Sequence, residues 1–101
     1  MKTDRLVASY IVRIVEATRT HPDVLLGASP RGSIALHGLS RAYALSQGRN
    51  YVIPDDVKAL APHVLAHRLM LTTSARNARL DPAELIRTLV NQVVVPTQAN
   101  G

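Results

Sequence analysis

Apolar positions recur every three to four residues along most of this chain, a period that predicts helices. From Thr3 to about Arg19, Leu6, Val7, Tyr10, Ile11, Ile14, Val15 and Thr18 fall on one stripe, while Arg5, Ser9, Arg13, Glu16 and Arg19 lie off it. That is an amphipathic helix with a solvated charged face, stopped by His21-Pro22. Asp23 to Leu26 reads as a short extended link. A second helix is expected from Ser29 to about Gln47, with Ala35, Leu36, Leu39, Ala42 and Tyr43 on one stripe and Ile34, Gly38 and Leu45 broadening it. So wide an apolar arc predicts the central helix of a bundle, contacted from more than one side. Gly48 then supplies a stop in the left-handed conformation.

Arg49 to Ile53 is a partly extended linker, and Pro54-Asp55-Asp56 opens a third helix with proline first and acids in its first turn. Val57, Leu60 and Ala61 point inward before Pro62 breaks this helix, and His63 to Leu69 reads as a further turn or two. Met70-Leu71 is a short strand or packed coil. Thr72 to Arg79 is polar and is expected to be the least ordered part. Asp81-Pro82-Ala83-Glu84 combines an N-cap, a first-position proline and a glutamate three residues on, which is a capping box. The helix it starts buries Leu85, Ile86, Leu89, Val90 and Val93. Residues 97–101 are expected to form a disordered tail. The expected fold is all-α, a small bundle of four main helices over residues 1–96, the third broken near Pro62. Its core should hold Leu6, Tyr10, Ile14, Leu36, Leu39, Tyr43, Val57, Leu60, Leu65, Leu85, Ile86 and Leu89.

Composition narrows the chemistry. The chain has 101 residues, no Trp, no Phe and three Tyr, so its core is aliphatic. The absence of cysteine excludes disulfides and thiolate metal sites. No apolar run approaches the ~20 residues of a membrane span, and no signal-peptide core follows Met1, so the expected location is cytoplasmic. Net charge is +5, carried by ten arginines against two lysines. That balance permits nucleic-acid or nucleotide binding without specifying either.

The most informative stretch is Leu25 to Ser33. Ser29 reads as an N-cap whose hydroxyl accepts a bond from an unpaired helical N–H. Pro30 fits the first helical position. Gly27 allows a positive φ or a close backbone approach. Arg31 therefore sits in the first turn, where the helix dipole already presents positive charge, a poor place for a cation if stability alone mattered. Free backbone donors, a positive dipole end and a guanidinium fork describe a site for an anion, above all a phosphate. The other candidates are weaker. Asp55-Asp56 has the composition of a metal or acid/base pair, but complementing the helix dipole explains it more simply. His63 and His67 have the spacing of two zinc ligands on a helix, yet no third ligand is evident, and no metal site is expected. A basic nucleic-acid-binding module is the alternative reading, with a plain protein-interaction bundle as another. Against nucleic acid, the arginines are scattered over all four helices and aromatic stacking residues are nearly absent.

The order Gly27-Ala28-Ser29-Pro30-Arg31-Gly32, then Gly48-Arg49, then Tyr51-Val52-Ile53-Pro54-Asp55-Asp56-Val57-Lys58-Ala59-Leu60-Ala61-Pro62, then His67-Arg68-Leu69 resembles the C-terminal lid domain of MoxR-type AAA+ ATPases. The resemblance runs from Thr3 to Pro96. Ile53 stands where that family more often has a capping Thr, and Arg76 to Leu80 matches loosely. The resemblance implies that Arg31 is the sensor 2 arginine, an accessory catalytic residue reading the γ-phosphate of ATP, with Gly27, Ser29 and Pro30 beside it on the nucleotide-facing surface. It also implies that ATP and Mg belong to the full-length ATPase. The chain has no G-x-x-x-x-G-K-S/T loop, so it is expected to be a lid without its own P-loop domain and inactive by itself. Its implied partners are that N-terminal P-loop AAA+ domain, the other subunits of a homo-hexamer, and client proteins often carrying von Willebrand factor A domains, served in a chaperone-like way.

Overall fold

The computed structural model describes residues 2–95. Helix α1 spans Lys2–Thr20, strand β1 Val24–Leu26, α2 Pro30–Ser46 and α3 Pro54–Leu65; a 3-10 turn over Ala66–Arg68 leads to strand β2 at Met70–Leu71, then α4 at Thr73–Asn77 and α5 at Pro82–Gln92. The architecture is all-α, with four main helices and one small antiparallel strand pair. The expected tail, residues 97–101, lies outside the described residues.

Helix α1 forms as its period predicts, and Tyr10, Ile11, Ile14 and Val15 are buried along it. The Tyr10 hydroxyl donates to the Val90 carbonyl at 3.2 Å, which satisfies an acceptor left over in the last turn of α5. Burial holds the Tyr10 phenol above its ordinary pKa, and the nearby charge of Asp55 pushes the same way. The two short extended segments pair with each other, Val24 opposite Leu71 and Leu26 opposite Met70, with an irregularity between. Val24 and Leu71 face the core, while Leu25, Leu26 and Met70 are exposed.

Three expectations need correction. Helix α2 is not the central helix: its buried residues are Gly32, Leu36, Ser40 and Ala44, a narrow stripe at a spacing of four in which only Leu36 is large. Leu39, expected in the core, is 50% exposed, and Ile34 is 72% exposed. Gly32, Ser40 and Ala44 let the α2 backbone come close to its neighbours, while Ile34, Leu39 and Leu45 are turned outward. The central helix is α3, packed against α2, α5 and α1. Leu6, Tyr43 and Leu60 are half-buried, and the remaining expected core residues are buried.

The third helix also does not break at Pro62. It runs through that residue to Leu65 and only then tightens into the 3-10 turn. A proline inside a helix forfeits one backbone bond and costs about 3 kcal/mol. Here Ala61, Pro62, Val64 and Leu65 are all buried, and their packing outweighs that loss.

The polar stretch after Thr72 is ordered. The Thr72 hydroxyl accepts from the Ala75 N–H at 3.1 Å, capping α4, and Ala75 anchors the helix in the core. The helix ends with Arg79 at φ 59°, Arg79 N–H on the Arg76 carbonyl and Leu80 N–H on the Ala75 carbonyl, both 3.0 Å. That is a Schellman ending with arginine in the glycine position. Gly48, at φ 82°, closes α2 in the same way, as expected from its residue type.

Between α2 and α3, Arg49 and Asp56 form a two-pronged ion pair at 2.6 and 2.7 Å. One carboxylate oxygen of Asp56 also accepts the Ile53 N–H at 2.9 Å. Asp56 is thus a buried structural clamp, its side chain 2% exposed, more than a surface charge complementing a dipole. Hydrogen bonding to Arg49 holds its carboxyl below the ordinary value of 3.8, against the opposing effect of burial.

Two stability measurements follow from this packing. Leu36→Ala should cost about 2–5 kcal/mol in urea unfolding, while Leu39→Ala should change stability by no more than about 0.5 kcal/mol. Equal losses would mean that α2 is rotated from the face described here. For the clamp, a carboxyl whose folded pKa is depressed stabilises the fold above its unfolded value of 3.8 and stops doing so as pH falls through the folded value. Asp56→Asn should therefore lower the thermal midpoint at pH 7 by about 5–15 °C, and the gap from wild type should narrow as pH drops below 3.8. A gap unchanged down to about pH 2 would show that the charge of Asp56 contributes nothing.

Candidate functional site

The start of α2 carries the sequence-derived site. Pro30 is the first helical residue and Arg31 the second, with Ser29 in extended conformation at the N-cap. The proline ring fixes the first φ in the helical range, so the turn that presents Arg31 is set locally. Arg31 is exposed, no acid stands in the first turn of α2, and no carboxylate among the described residues lies in ion-pair range of it. The expected capping role of Ser29 is not realised: its hydroxyl accepts no bond from the helix, and only its carbonyl is engaged, by the Gly32 N–H at 2.8 Å.

What holds this helix start lies behind it. Gly27 takes no positive φ; it meets the end of α1 so closely that a Cβ would stand 2.7 Å from the Arg19 Cγ and 2.9 Å from the Arg19 Cα and N. Close approach, the second of the two roles expected for this glycine, is the one realised. The next residue, Ala28, is fully buried. Its N–H donates to the Thr18 hydroxyl at 3.1 Å, and its carbonyl accepts from Arg19 Nε at 3.2 Å. Thr18, itself buried, donates to the Val15 carbonyl at 2.6 Å. From the other side, Gly32 packs on the end of α3. A Cβ there would stand 3.2 Å from Leu65, 3.3 Å from Ala28 and 3.6 Å from the Arg68 Cδ.

The structure thus brings Gly27, Ser29, Pro30 and Arg31 together, and adds two arginines that the local sequence did not assign to the site. Arg68 reaches it because the 3-10 turn after α3 delivers its stem onto the first turn of α2. Arg19 reaches it through Ala28. The signal for Arg68 was its place in the ordered motif His67-Arg68-Leu69; for Arg19 there was none, since it lay on a face read as solvated. Neither has a carboxylate partner within ion-pair range among the described residues. Backbone donors, a positive dipole end and unpaired guanidinium groups make this an electropositive corner.

The remaining candidates are not brought into it. His63 lies on α3 and His67 on the 3-10 turn, both exposed, so they do not share one helix face as the zinc spacing required. Among the described residues no cluster of three His, Cys, Asp or Glu side chains has metal-binding proximity. A groove of about 370 Å³ opens between α1 and α2, lined by Val12, Ile34, His37 and Arg41 among others, and it includes none of the site residues. No helix among the described residues is long and apolar enough to cross a membrane.

Comparison with known proteins agrees with this architecture. The family model of the AAA lid domain matches residues 16–89. The uncharacterised protein YeaC of Bacillus subtilis is 47% identical over 101 residues, which is 100% of this chain and 32% of that protein. The chaperone MoxR1 of Mycobacterium tuberculosis is 38% identical over 99 residues, covering 89% of this chain and 26% of its own length. The protein MoxR of Methylorubrum extorquens is 39% identical over 72 residues, 69% of this chain and 21% of that protein. A crystal structure from Cytophaga hutchinsonii, provisionally assigned as an ATPase, superposes with a TM-score of 0.86 at 30% identity, over 91% of this chain and 31% of that one. The chain therefore spans about a third or less of the length of these relatives. With its fold, its motif order and these matches in agreement, the chain belongs to the AAA lid domain family, in the form carried by MoxR-type AAA+ ATPases.

Proposed function

We propose that this lid contributes Arg31 as the sensor 2 arginine of a ring ATPase, reading the γ-phosphate of ATP held in a P-loop domain. The observation that carries this reading is the isolation of Arg31, a cation at the positive end of α2 with no acid among the described residues to balance it. A phosphate placed there would meet charge-assisted donors already in position. Phosphoryl transfer is catalysed mainly by such positioning and by cations around the transferring group. Gly27, Ser29 and Pro30 shape the surface through which α2 approaches the nucleotide. ATP and Mg would be bound by the P-loop domain, and the chain alone would not hydrolyse ATP. A homo-hexamer, a cytoplasmic location, and chaperone-like action on clients with von Willebrand factor A domains go with this reading; MoxR1 is itself named a chaperone.

One contact cannot offset the entropy of association, so the isolated chain should show no micromolar binding of ATP by calorimetry and no phosphate release above background. Micromolar binding, or phosphate release above background from a clean preparation, would overturn the reading. In the full-length ATPase, Arg31→Ala should slow hydrolysis about 10- to 150-fold, the value of a charge-assisted contact made in the transition state. Arg31→Lys should restore only part, because a point charge does not reproduce the guanidinium fork. The isolated lid should keep its thermal midpoint or gain slightly in Arg31→Ala. Intact turnover, or turnover lost only through unfolding of the lid, would refute the assignment.

A further inference from the structure

We propose that the last turn of α1 is the positioning element for Arg31, with Thr18 and Arg19 acting through Ala28. The inference rests on the sensor reading above and adds residues from a different helix to it.

Each later helix start except that of α2 is tied by a side chain of its own. The Asp56 carboxylate binds the N-cap N–H of α3, Thr72 caps α4, and Asp81 accepts the Ala83 N–H of α5 at 2.9 Å. At α2 the N-cap side chain makes no such bond, so the tip of the helix stays open to a ligand. Its direction must then be set from behind. Both backbone polar groups of Ala28, three residues before Arg31, are held by consecutive residues of α1, the N–H by Thr18 and the carbonyl by Arg19. The Thr18 hydroxyl spends its only proton on the Val15 carbonyl, so its lone pair toward Ala28 has a fixed orientation. Gly27 presses on the backbone of Arg19, which cannot move aside as a side-chain tip could. Ala28 also lies under the first turn of α2, against Gly32. A shift of the Thr18–Ala28 bond is therefore transmitted both along the chain and by packing to the turn that aims Arg31. Positioning errors of about 1 Å in a catalytic group cost rates up to about 100-fold.

The test uses Thr18→Val, which keeps the shape and deletes the hydroxyl, Thr18→Ser, which keeps the hydroxyl, and Arg19→Met, which keeps an unbranched stem and deletes the charged donor to the Ala28 carbonyl. In this chain, Thr18→Val should raise hydrogen exchange at the Ala28 amide at least about 10-fold while leaving the Leu36 and Ile86 amides unchanged. In the full-length ATPase, Thr18→Val should lower kcat about 10-fold with KM for ATP within about twofold, and Thr18→Ser should recover most of the loss. On an Arg31→Ala background, Thr18→Val should cost no more than about another twofold, because it acts through the residue already removed. A merely structural role would instead multiply the two losses. If Thr18→Val fails to fold, Arg19→Met, which frees the Ala28 carbonyl and leaves its N–H on Thr18, carries the same kinetic expectations. Unchanged kcat in Thr18→Val and Arg19→Met, or multiplicative losses with Arg31→Ala, would overturn the positioning proposal while leaving the sensor reading standing. Full turnover in Arg31→Ala alone would overturn the sensor reading, and this proposal with it.

Discussion

The contact between Leu65 and Gly32 is the one on which the geometry depends. There the end of α3 meets the first turn of α2 with no Cβ between them, so the buried central helix supports the helix start directly. A larger residue at either position would push the tip of α2 away from α3 and from Arg68 together. The same closeness fits a buried stripe on α2 in which Leu36 alone is large, beside Gly32, Ser40 and Ala44, while Ile34 and Leu39 turn outward. Behind the tip, Gly27 repeats the device against α1. The start of α2 is thus wedged between two helices, and its N-cap side chain makes no bond to the helix.

Two arginines show how differently the fold treats the same charge. Arg49, just past the end of α2, meets Asp56 through both prongs of its guanidinium and lies 5.9 Å from the ring centre of Tyr51. Pairing with the carboxylate raises its pKa further, and the pair ties α2 to α3. Arg31, near the start of the same helix, has no such partner among the described residues and adds positive charge to a positive dipole end. A fold selected for stability alone would place an acid there, as the first turn of α3 does with Asp55 and Asp56. Arg31 thus breaks a local rule at the place where a ligand would repay it.

Much of this was legible in the sequence, and the remainder failed for identifiable reasons. Helices α1 and α5 were readable because each has a single strong stripe bounded by a stop or a cap. Helix α2 was located well but its inward face was not, because periodicity identifies apolar positions without saying which of them are covered. Pro62 was read by its local cost, whereas burial of its neighbours decides the outcome. The ordered turn at Thr73–Asn77 was hidden because its ending uses Arg79 in a left-handed conformation where a glycine would have announced it. At the candidate site, the helix start at Pro30, the first-turn place of Arg31 and the close approach at Gly27 are readable from backbone chemistry. Thr18, Arg19 and Arg68 were not assigned to it, since their contribution arises only when separate helices meet. Arg49 and Asp56 likewise gave no local sign of pairing across seven residues.

The proposed role of Arg31 requires the open tip of α2 to aim it at the terminal phosphate of ATP. A structure of the full-length ATPase with a non-hydrolysable ATP analogue and Mg tests this directly. A guanidinium nitrogen of Arg31 should lie about 2.7–2.9 Å from a γ-phosphate oxygen, with the Ala28 contacts to Thr18 and Arg19 retained. A nucleotide-bound ring in which Arg31 points into solvent, or in which another residue of the lid takes that oxygen, would contradict it.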